Sequence, residues 1–274
     1  MIPPPDQCAI CGSSSFTLVF SYDAPPALET RFDFAEQGEY RRCIYACDCC
    51  GHFMSVHTMD DSALYFEDYV SANYGDRLRA TFERISALDP SRSDNEGRVH
   101  RIVEFTAGHW GSGSGQAPSA LDVGSGLCVF LHRLRAHGWS GTALDPDSRA
   151  VQHAREVVGV NAIQGDFMTV AGAGTFDLVT FNKVLEHVKD PIAMLAKSRD
   201  YLSPRGMVYV EVPDAECAAV DGADREEFCI DHPHVFSACS LVMLATRAGF
   251  RVRQLERLQE PSTKYTLFAF LSPA

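Results

Sequence analysis

The stretch Leu121-Asp-Val-Gly-Ser-Gly-Leu127 decides the fold, because an apolar run opens directly into a glycine turn. A second strand-like run, Gly141-Thr-Ala-Leu-Asp145, follows farther along the chain and ends in a single carboxylate. Glycines let a ligand lie against bare backbone, and an acidic residue one strand over can accept both hydroxyls of a ribose. The sequence therefore predicts a nucleoside site at Gly124, Gly126 and Asp145, although the same turn would also suit a dinucleotide.

From residue 119 onward, strand-like and helix-like segments alternate, which predicts a mostly parallel α/β sheet covered on both faces. The predicted strands lie near residues 119–123, 141–145, 160–164, 176–181, 206–212, 250–256 and 265–271. The predicted helices of this part lie near residues 128–138, 147–158, 191–202 and 238–248.

Two Cys-x-x-Cys-Gly units, at residues 8–12 and 47–51, lie in the N-terminal part of the chain. In such a unit the glycine allows a tight turn that aims both sulfurs at one ion, and two units complete a tetrahedral site. The predicted ligands of one structural Zn²⁺ are Cys8, Cys11, Cys47 and Cys50. Cys43 and Cys49 are surplus, so replacement of one ligand by a surplus cysteine stays an alternative. Ordinary reduced cysteines are the other alternative.

The chain divides into three predicted domains. Residues 1–60 form a zinc-ribbon module, residues 61–110 a helical linker or lid, and residues 111–274 the sheet domain. Short β-like runs at residues 16–20 and 41–45 support the ribbon. Because the ribbon and the sheet domain are separate in sequence, we expect them to have separate hydrophobic cores.

Composition and charge narrow the classes of function. Hydrophobic residues make up 46% of the 274 residues, which is ordinary for a globular protein with a full core. The sequence has no run of about 18 apolar residues and no signal-peptide pattern, so we expect a cytoplasmic protein without a membrane partner. The net charge of −12 argues against a nucleic-acid partner. Residues 1–70 sharpen this point, since eleven acidic residues there face three arginines.

Three further motifs follow the glycine turn: Gln164-Gly-Asp-Phe167, Phe176-Asp-Leu-Val-Thr-Phe-Asn-Lys-Val-Leu-Glu-His-Val-Lys-Asp-Pro191, and Leu202-Ser-Pro-Arg-Gly-Met-Val-Tyr-Val-Glu-Val-Pro213. In this order the motifs resemble those of class I S-adenosylmethionine-dependent methyltransferases, over roughly residues 98–274. The resemblance implies a Rossmann-like sheet of seven strands in the order 3-2-1-4-5-7-6. It also implies S-adenosylmethionine as the cofactor.

The resemblance extends the predicted cofactor site beyond the ribose carboxylate. Asp166 and Phe167 correspond to the family's adenine contacts, with a simple turn at the strand end as the alternative. Asp145 has an alternative role as the cap of the following helix. The family's third glycine is Cys128 here, a departure we expect to be tolerated because that glycine serves helix packing. The predicted cofactor-binding residues are Asp122, Gly124, Ser125, Gly126, Asp145, Pro146, Asp166, Phe167, Asn182 and Lys183.

Histidines supply the candidates for proton transfer. The segment Ile230-Asp-His-Pro-His-Val-Phe-Ser237 resembles the histidine-containing stretch of small-molecule methyltransferases in sugar and natural-product pathways. That resemblance implies His234 as the proton acceptor, ahead of His232, with bracing of the loop as the alternative. The pair Glu186-His187 more often organises a loop in this family, and His187 is the third catalytic candidate. The residues at 182–185 differ from the Asn-Pro-Pro-Tyr type, which argues against methylation of amide or adenine amino groups.

The cysteine units followed by a tyrosine-rich segment resemble the N-terminal half of nucleotide-sugar C-methyltransferases. This resemblance implies that Tyr69 and Tyr74 contact the acceptor, with ordinary packing as the alternative. We therefore expect methyl transfer to a hydroxyl, or an activated carbon, of a small molecule such as a nucleotide-linked or free sugar. A ribosomal RNA guanine methyltransferase with a zinc module is the competing class, and its module would be basic. A cofactor-binding protein without catalysis is the third.

Overall fold

The computed structural model describes residues 2–27, 29–30, 39–59, 77–110 and 117–274. The strands of these residues are β1 (Phe16–Tyr22), β2 (Arg42–Cys47), β3 (Phe53–His57), β4 (Ser119–Val123), β5 (Ser140–Asp145), β6 (Asn161–Gln164), β7 (Phe176–Asn182), β8 (Leu202–Pro213), β9 (His234–Val235), β10 (Phe250–Gln259) and β11 (Tyr265–Pro273). The helices are α1 (Leu78–Ser86), α2 (Asp94–Trp110), α3 (Val129–Arg135), α4 (Ser148–His153), α5 (Pro191–Lys197), α6 (Ala215–Asp221) and α7 (Ala238–Arg247). Among the helices described, none combines the length and the apolar character needed to cross a membrane.

The larger sheet has seven strands in the order β10-β11-β8-β7-β4-β5-β6. The five strands from β4 to β8 pair in parallel, and β11 runs antiparallel to both of its neighbours. Counted from β4, this is the predicted order 3-2-1-4-5-7-6, so the α/β, Rossmann-like expectation is confirmed. The carboxyl ends of the parallel strands meet at one edge, where ligands bind in such sheets.

The smaller sheet joins the N-terminal module to the sheet domain. Its order is β1-β2-β3-β9, and all of its pairs are antiparallel. Strands β1 and β2 match the two β-like runs predicted around the cysteines, whereas β3 was not predicted. The fourth, β9, comes from the segment after β8, where His234 and Val235 pair with Met54 and Phe53.

The cysteine units share a hydrophobic core with the sheet domain, whereas the strands of the smaller sheet pack in a second buried cluster with α6. Cys8, Ile10 and Cys50 belong to the same buried cluster as Leu241 and Leu244 of α7. The predicted separation of cores is therefore wrong. Its physical reason is that the cysteine units pack their apolar side directly on α7, which leaves no solvent layer between the module and the sheet domain.

Candidate functional site

The turn after β4 presents bare backbone. Gly124 and Gly126 have φ angles of 66° and 47°, in the left-handed region that favours glycine. A Cβ atom at Gly124 would lie 3.0 Å from Cγ2 of Val184, whereas no atom lies within 4 Å of one at Gly126. Cys128 also has a positive φ angle, of 59°. The family's third glycine thus falls where the backbone itself favours glycine, and not only where a helix packs closely.

Asp145 ends β5 and holds the glycine turn. Its Oδ2 accepts a hydrogen bond from the Gly126 amide at 2.9 Å, and its Oδ1 accepts one from the Asp147 amide at 2.9 Å. Burial raises the pKa of Asp145, and these two hydrogen bonds oppose the rise. The cap of α4 is Asp147, which accepts from the Arg149 amide. The alternative capping role therefore falls to Asp147, and each oxygen of Asp145 keeps acceptor capacity for a ligand hydroxyl.

Asp122 lies one strand away, at the end of β4. Its Oδ1 accepts hydrogen bonds from Oγ1 of Thr180 at 2.7 Å and from Nδ2 of Asn182 at 2.8 Å. Burial raises the pKa of Asp122 to about 6. Oδ1 of Asn182 and Oγ of Ser125 are buried without a hydrogen-bond partner among the described residues. Buried polar atoms of this kind at a cavity wall fit a ligand that supplies the missing partners.

Asp166 and Phe167 lie in the turn after β6. Oδ1 of Asp166 accepts a hydrogen bond from the Met168 amide at 2.9 Å, so this carboxylate does stabilise the turn. Phe167 is buried, and its ring packs edge-on against Phe181 at 5.5 Å between centroids. Both residues line the cavity described next. Asp166 can therefore stabilise the turn and contact adenine at the same time, and the adenine contact stays a prediction.

A large cavity, with a volume of about 940 Å³, lies at the carboxyl edge of the sheet. All ten predicted cofactor residues line it: Asp122, Gly124, Ser125, Gly126, Asp145, Pro146, Asp166, Phe167, Asn182 and Lys183. An adjoining pocket of about 180 Å³ shares His187, Asp231 and Lys264 with it. These three residues therefore mark the junction of the cavity and the pocket.

The cavity wall is more acidic than basic. Among its described lining residues, seven are acidic: Asp94, Asp122, Asp145, Asp147, Asp166, Glu211 and Asp231. Four are lysine or arginine: Arg92, Arg98, Lys183 and Lys264. This balance disfavours a polyanionic ligand, in line with the net charge of the chain.

A buried charge network, which no sequence motif indicates, supports the cavity floor. Glu211 of β8 has no exposed surface and accepts hydrogen bonds from Nε of Arg98 at 2.8 Å and from Nη2 of Arg101 at 3.3 Å. Burial alone would raise the pKa of Glu211, but Arg98 holds it well below its usual range. Nζ of Lys183 donates to Oγ1 of Thr266 at 2.8 Å, and burial lowers its pKa. No sequence motif links these residues, because they come from separate elements far apart along the chain.

The four predicted cysteine ligands lie together. Sγ of Cys8 is 3.6 Å from Sγ of Cys50, and Sγ of Cys11 is 3.4 Å from Sγ of Cys47. All four sulfurs lie within 4.8 Å of one another. Tetrahedral zinc with Zn–S bonds of about 2.3 Å places sulfurs about 3.8 Å apart, so the group fits one Zn²⁺. The surplus cysteines lie elsewhere: Cys43 is buried beside Ser21, and Cys49 is exposed.

His234 lies against the ribbon and not among the cavity-lining residues. Its Nδ1 is 3.0 Å from Nε2 of His52, and both imidazoles are buried. Burial lowers the pKa of His234 to about 4. This position fits the alternative role of His234, which is to brace the loop and not to accept a proton. His52 was missed by the sequence analysis, although it directly follows the second Cys-x-x-Cys-Gly unit.

His187 and His232 lie at the junction of cavity and pocket. Nδ1 of His187 is 2.8 Å from the backbone oxygen of Asp231, and the ring packs edge-on against His232 at 4.7 Å between centroids. His232 lines only the smaller pocket, and burial lowers its pKa to about 4. His187 is therefore the one predicted imidazole that lines the large cavity. Tyr69 and Tyr74 fall outside the described residues.

Comparisons with known proteins agree with this architecture. A family model described as a methyltransferase domain matches residues 72–255. The "Uncharacterized 37.1 kDa protein in transposon TN4556" of Streptomyces fradiae is 30% identical over 186 residues, or 62% of this chain and 53% of that protein. A ubiquinone biosynthesis O-methyltransferase of Caulobacter vibrioides is 30% identical over 109 residues, or 36% of this chain and 43% of that protein. The chain spans about half the length of the curated relatives it matches.

Solved structures show the same fold. The 1,6-didemethyltoxoflavin-N1-methyltransferase of Burkholderia thailandensis superimposes with a TM-score of 0.56 at 19% identity, covering 92% of this chain and 100% of that one. The magnesium protoporphyrin IX methyltransferase of Synechocystis gives a TM-score of 0.57 at 13% identity, covering 78% and 100%. At these identities the likeness concerns the fold.

Proposed function

The chain belongs to the methyltransferase-domain family, and we propose that it transfers a methyl group from S-adenosylmethionine to a hydroxyl group of a small molecule. The observation that carries this proposal is the cavity, which joins the glycine turn and Asp145 to a polar junction at His187. The name of the O-methyltransferase relative favours oxygen over carbon as the acceptor atom. A sugar or another hydroxylated natural-product intermediate is the acceptor class we propose.

Different residues of the cavity wall bind different parts of the cofactor in this proposal. The backbone at Gly124 and Gly126 admits its amino-acid and ribose parts, and Asp145 accepts the ribose hydroxyls. Asp166 and Phe167 contact the adenine. When bound, S-adenosylmethionine supplies a methyl group on a positively charged sulfur. The acidic cavity wall suits that charge.

We propose that the acceptor binds at the junction marked by His187. Because its Nδ1 lies against the backbone oxygen of Asp231, the ring orientation is fixed by a neighbouring loop. A fixed imidazole at the cavity wall is suited to act on the proton of an acceptor hydroxyl. We therefore propose His187, in place of His234, as the histidine beside the acceptor.

We also propose a structural Zn²⁺ at Cys8, Cys11, Cys47 and Cys50. The four-sulfur geometry supports this ion, and its role is to fix the ribbon turns. Thiolate ligands require reduced cysteines, and all ten cysteines of the chain are free. This favours the cytoplasm as the compartment.

Transfer of labelled methyl groups to a panel of free sugars, nucleotide-linked sugars, phenols and RNA hairpins tests the function. We expect labelling of a hydroxylated small molecule, and labelling of RNA alone would contradict the proposal.

Asp145→Ala should weaken S-adenosylmethionine binding by roughly 1.5–3 kcal/mol in calorimetry, because two hydroxyls lose a charged acceptor. His187→Gln should lower kcat with little change in cofactor affinity, whereas the exposed His100→Gln should behave as wild type.

A further inference from the structure

We propose that Glu186, His187 and His232 form a second metal site, for a zinc-class divalent cation, at the acceptor end of the cavity. The existence of the site is independent of the proposed function, whereas its use in catalysis rests on that function. Glu186 and His187 follow β7, and His232 lies in the loop before β9. The site is separate from the four-cysteine group in both sequence and ligand type.

The observation that points to a cation is that the carboxylate of Glu186 is buried and makes no hydrogen bond within the described residues. A buried carboxylate without partners is strongly unfavourable, and buried charges in proteins are paired or coordinate metals. Burial raises the pKa of Glu186, and Lys183 is near enough to lower it, but Lys183 makes no hydrogen bond to either carboxylate oxygen, and its Nζ donates to Thr266. A cation beside Glu186 would supply the missing partner.

The three side chains converge. One carboxylate oxygen of Glu186 and one ring nitrogen each of His187 and His232 lie within 4.8 Å of one another. Ligands around tetrahedral zinc, with bonds of about 2.1 Å, lie about 3.4 Å apart, so small side-chain rotations complete the site. Cys229, Asp231 and His232 form an overlapping group with the same spread of ligand atoms. His232 therefore belongs to both groups, and Cys229 and Asp231 lie near its ring.

The two imidazoles are already oriented as metal ligands usually are. Nδ1 of His187 lies 2.8 Å from the backbone oxygen of Asp231, and Nδ1 of His232 lies 2.9 Å from the backbone oxygen of Glu227. Metal-binding histidines commonly donate one ring N–H to such an oxygen, which fixes the tautomer and turns the other nitrogen to the ion. Nε2 is the proposed ligand atom of both rings.

The types of ligand indicate which metal ion would bind and what it could do in the reaction. One carboxylate with two imidazoles suits Zn²⁺ and similar transition metals, whereas Mg²⁺ and Ca²⁺ prefer oxygen ligands throughout. Three protein ligands leave a fourth position, as in catalytic zinc sites, and His187 lines the cavity. With the ion bound, Nε2 of His187 is a ligand and no longer a base, so the ion takes over the role proposed above for the imidazole. An acceptor hydroxyl bound to the ion would lose its proton to solvent more readily. Its oxygen would then bond to the methyl carbon as the carbon–sulfur bond breaks and S-adenosylhomocysteine leaves.

Metal counting on the full-length protein, purified without chelators, tests the site. We expect two zinc ions per wild-type chain by mass spectrometry. Glu186→Gln and His232→Gln should each retain one, and Cys11→Ser should also retain one, whereas the exposed His100→Gln should keep both. In cobalt-substituted protein, the thiolate charge-transfer bands should vanish in Cys11→Ser and persist in Glu186→Gln. Circular dichroism and S-adenosylmethionine affinity check that the variants are folded.

One zinc ion per wild-type chain, unchanged after dialysis against excess Zn²⁺, would overturn the second site even if Glu186→Gln does not fold. An equal metal content in wild type and His232→Gln would do the same. Methyl transfer by a wild-type protein that holds only one zinc ion would refute the metal site and leave the proposed function standing. A two-zinc protein that methylates nothing in the panel would refute the function and leave the site.

Discussion

Asp122 shows how one buried residue links the cofactor site to stability. Its carboxylate accepts hydrogen bonds from Thr180 and Asn182, yet burial still raises its pKa to about 6. The folded state therefore binds this proton more tightly than the unfolded state does. The contribution of Asp122 to stability is full below the unfolded pKa of about 3.9 and is lost as the pH rises through about 6.

We expect Asp122→Asn to stabilise the ligand-free protein at pH 8 by roughly 1–2 kcal/mol, because an amide carries no buried charge while its oxygen can still accept both hydrogen bonds. At pH 4.5 the gain should be clearly smaller, because Asp122 is then largely protonated in the folded state. Urea titrations at both pH values measure the difference. A gain that is the same at both pH values would show that the charge of Asp122 is not the cause.

Individual site residues were predictable where a strand end and a turn fix their position. Gly124, Gly126 and Asp145 lie where the sequence placed them, because the edge of a parallel sheet follows directly from the order of strands. His234 is different. Its surroundings depend on His52, a residue 182 positions away, and no local pattern could indicate that contact.

The strand β9 couples two modules that the sequence presents as separate. It pairs with β3, and its His234 meets His52 at 3.0 Å in a place without solvent. Next to it, Oγ of Ser237 caps α7 and donates to the backbone oxygen of Cys50 at 2.7 Å. The ribbon thereby holds the loop that contains Asp231, and through it the ring of His187.

His52→Ala should lower the free energy of unfolding by about 2–4 kcal/mol, because it leaves a cavity and removes the hydrogen-bond partner of His234. Hydrogen exchange should rise in β9 and in the loop before it. His52→Phe is the matched control, since it fills the space beside Phe236 without the hydrogen bond and should recover part of the loss. If both variants match wild type in exchange and urea unfolding, the ribbon does not hold this loop.

Elements were predicted well where their apolar spacing is regular and poorly where pairing is distant. The seven strands of the large sheet lie at the expected places. The two-residue strand β9 has no periodicity to detect, because it exists only through its pairing with Phe53 and Met54. The helix predicted at residues 191–202 is present as α5 followed directly by a 3-10 helix at Ser198–Tyr201, and β8 begins at Leu202.

The whole molecule behaves as one packed unit across the module boundary. Cysteines of the ribbon share a buried cluster with α7 and with strands of the large sheet. Nη1 of Arg247, at the end of α7, donates to the backbone oxygen of Ile10 at 2.6 Å. Because the core beneath the cysteine units continues into the sheet domain, damage to the ribbon should reach that domain.

Cys8→Ser tests this arrangement. Loss of the proposed structural zinc should lower the free energy of unfolding by more than about 4 kcal/mol, because the turns at the cysteines lose their ligand and the shared core loses its edge. Since that core is continuous, we expect one cooperative transition in calorimetry, shifted to lower temperature, with faster hydrogen exchange in α7. Cys49→Ser, an exposed change within the second cysteine unit, should keep its zinc and unfold as wild type does. Two separate transitions in Cys8→Ser, with the second at the wild-type temperature, would show that the ribbon and the sheet domain fold independently.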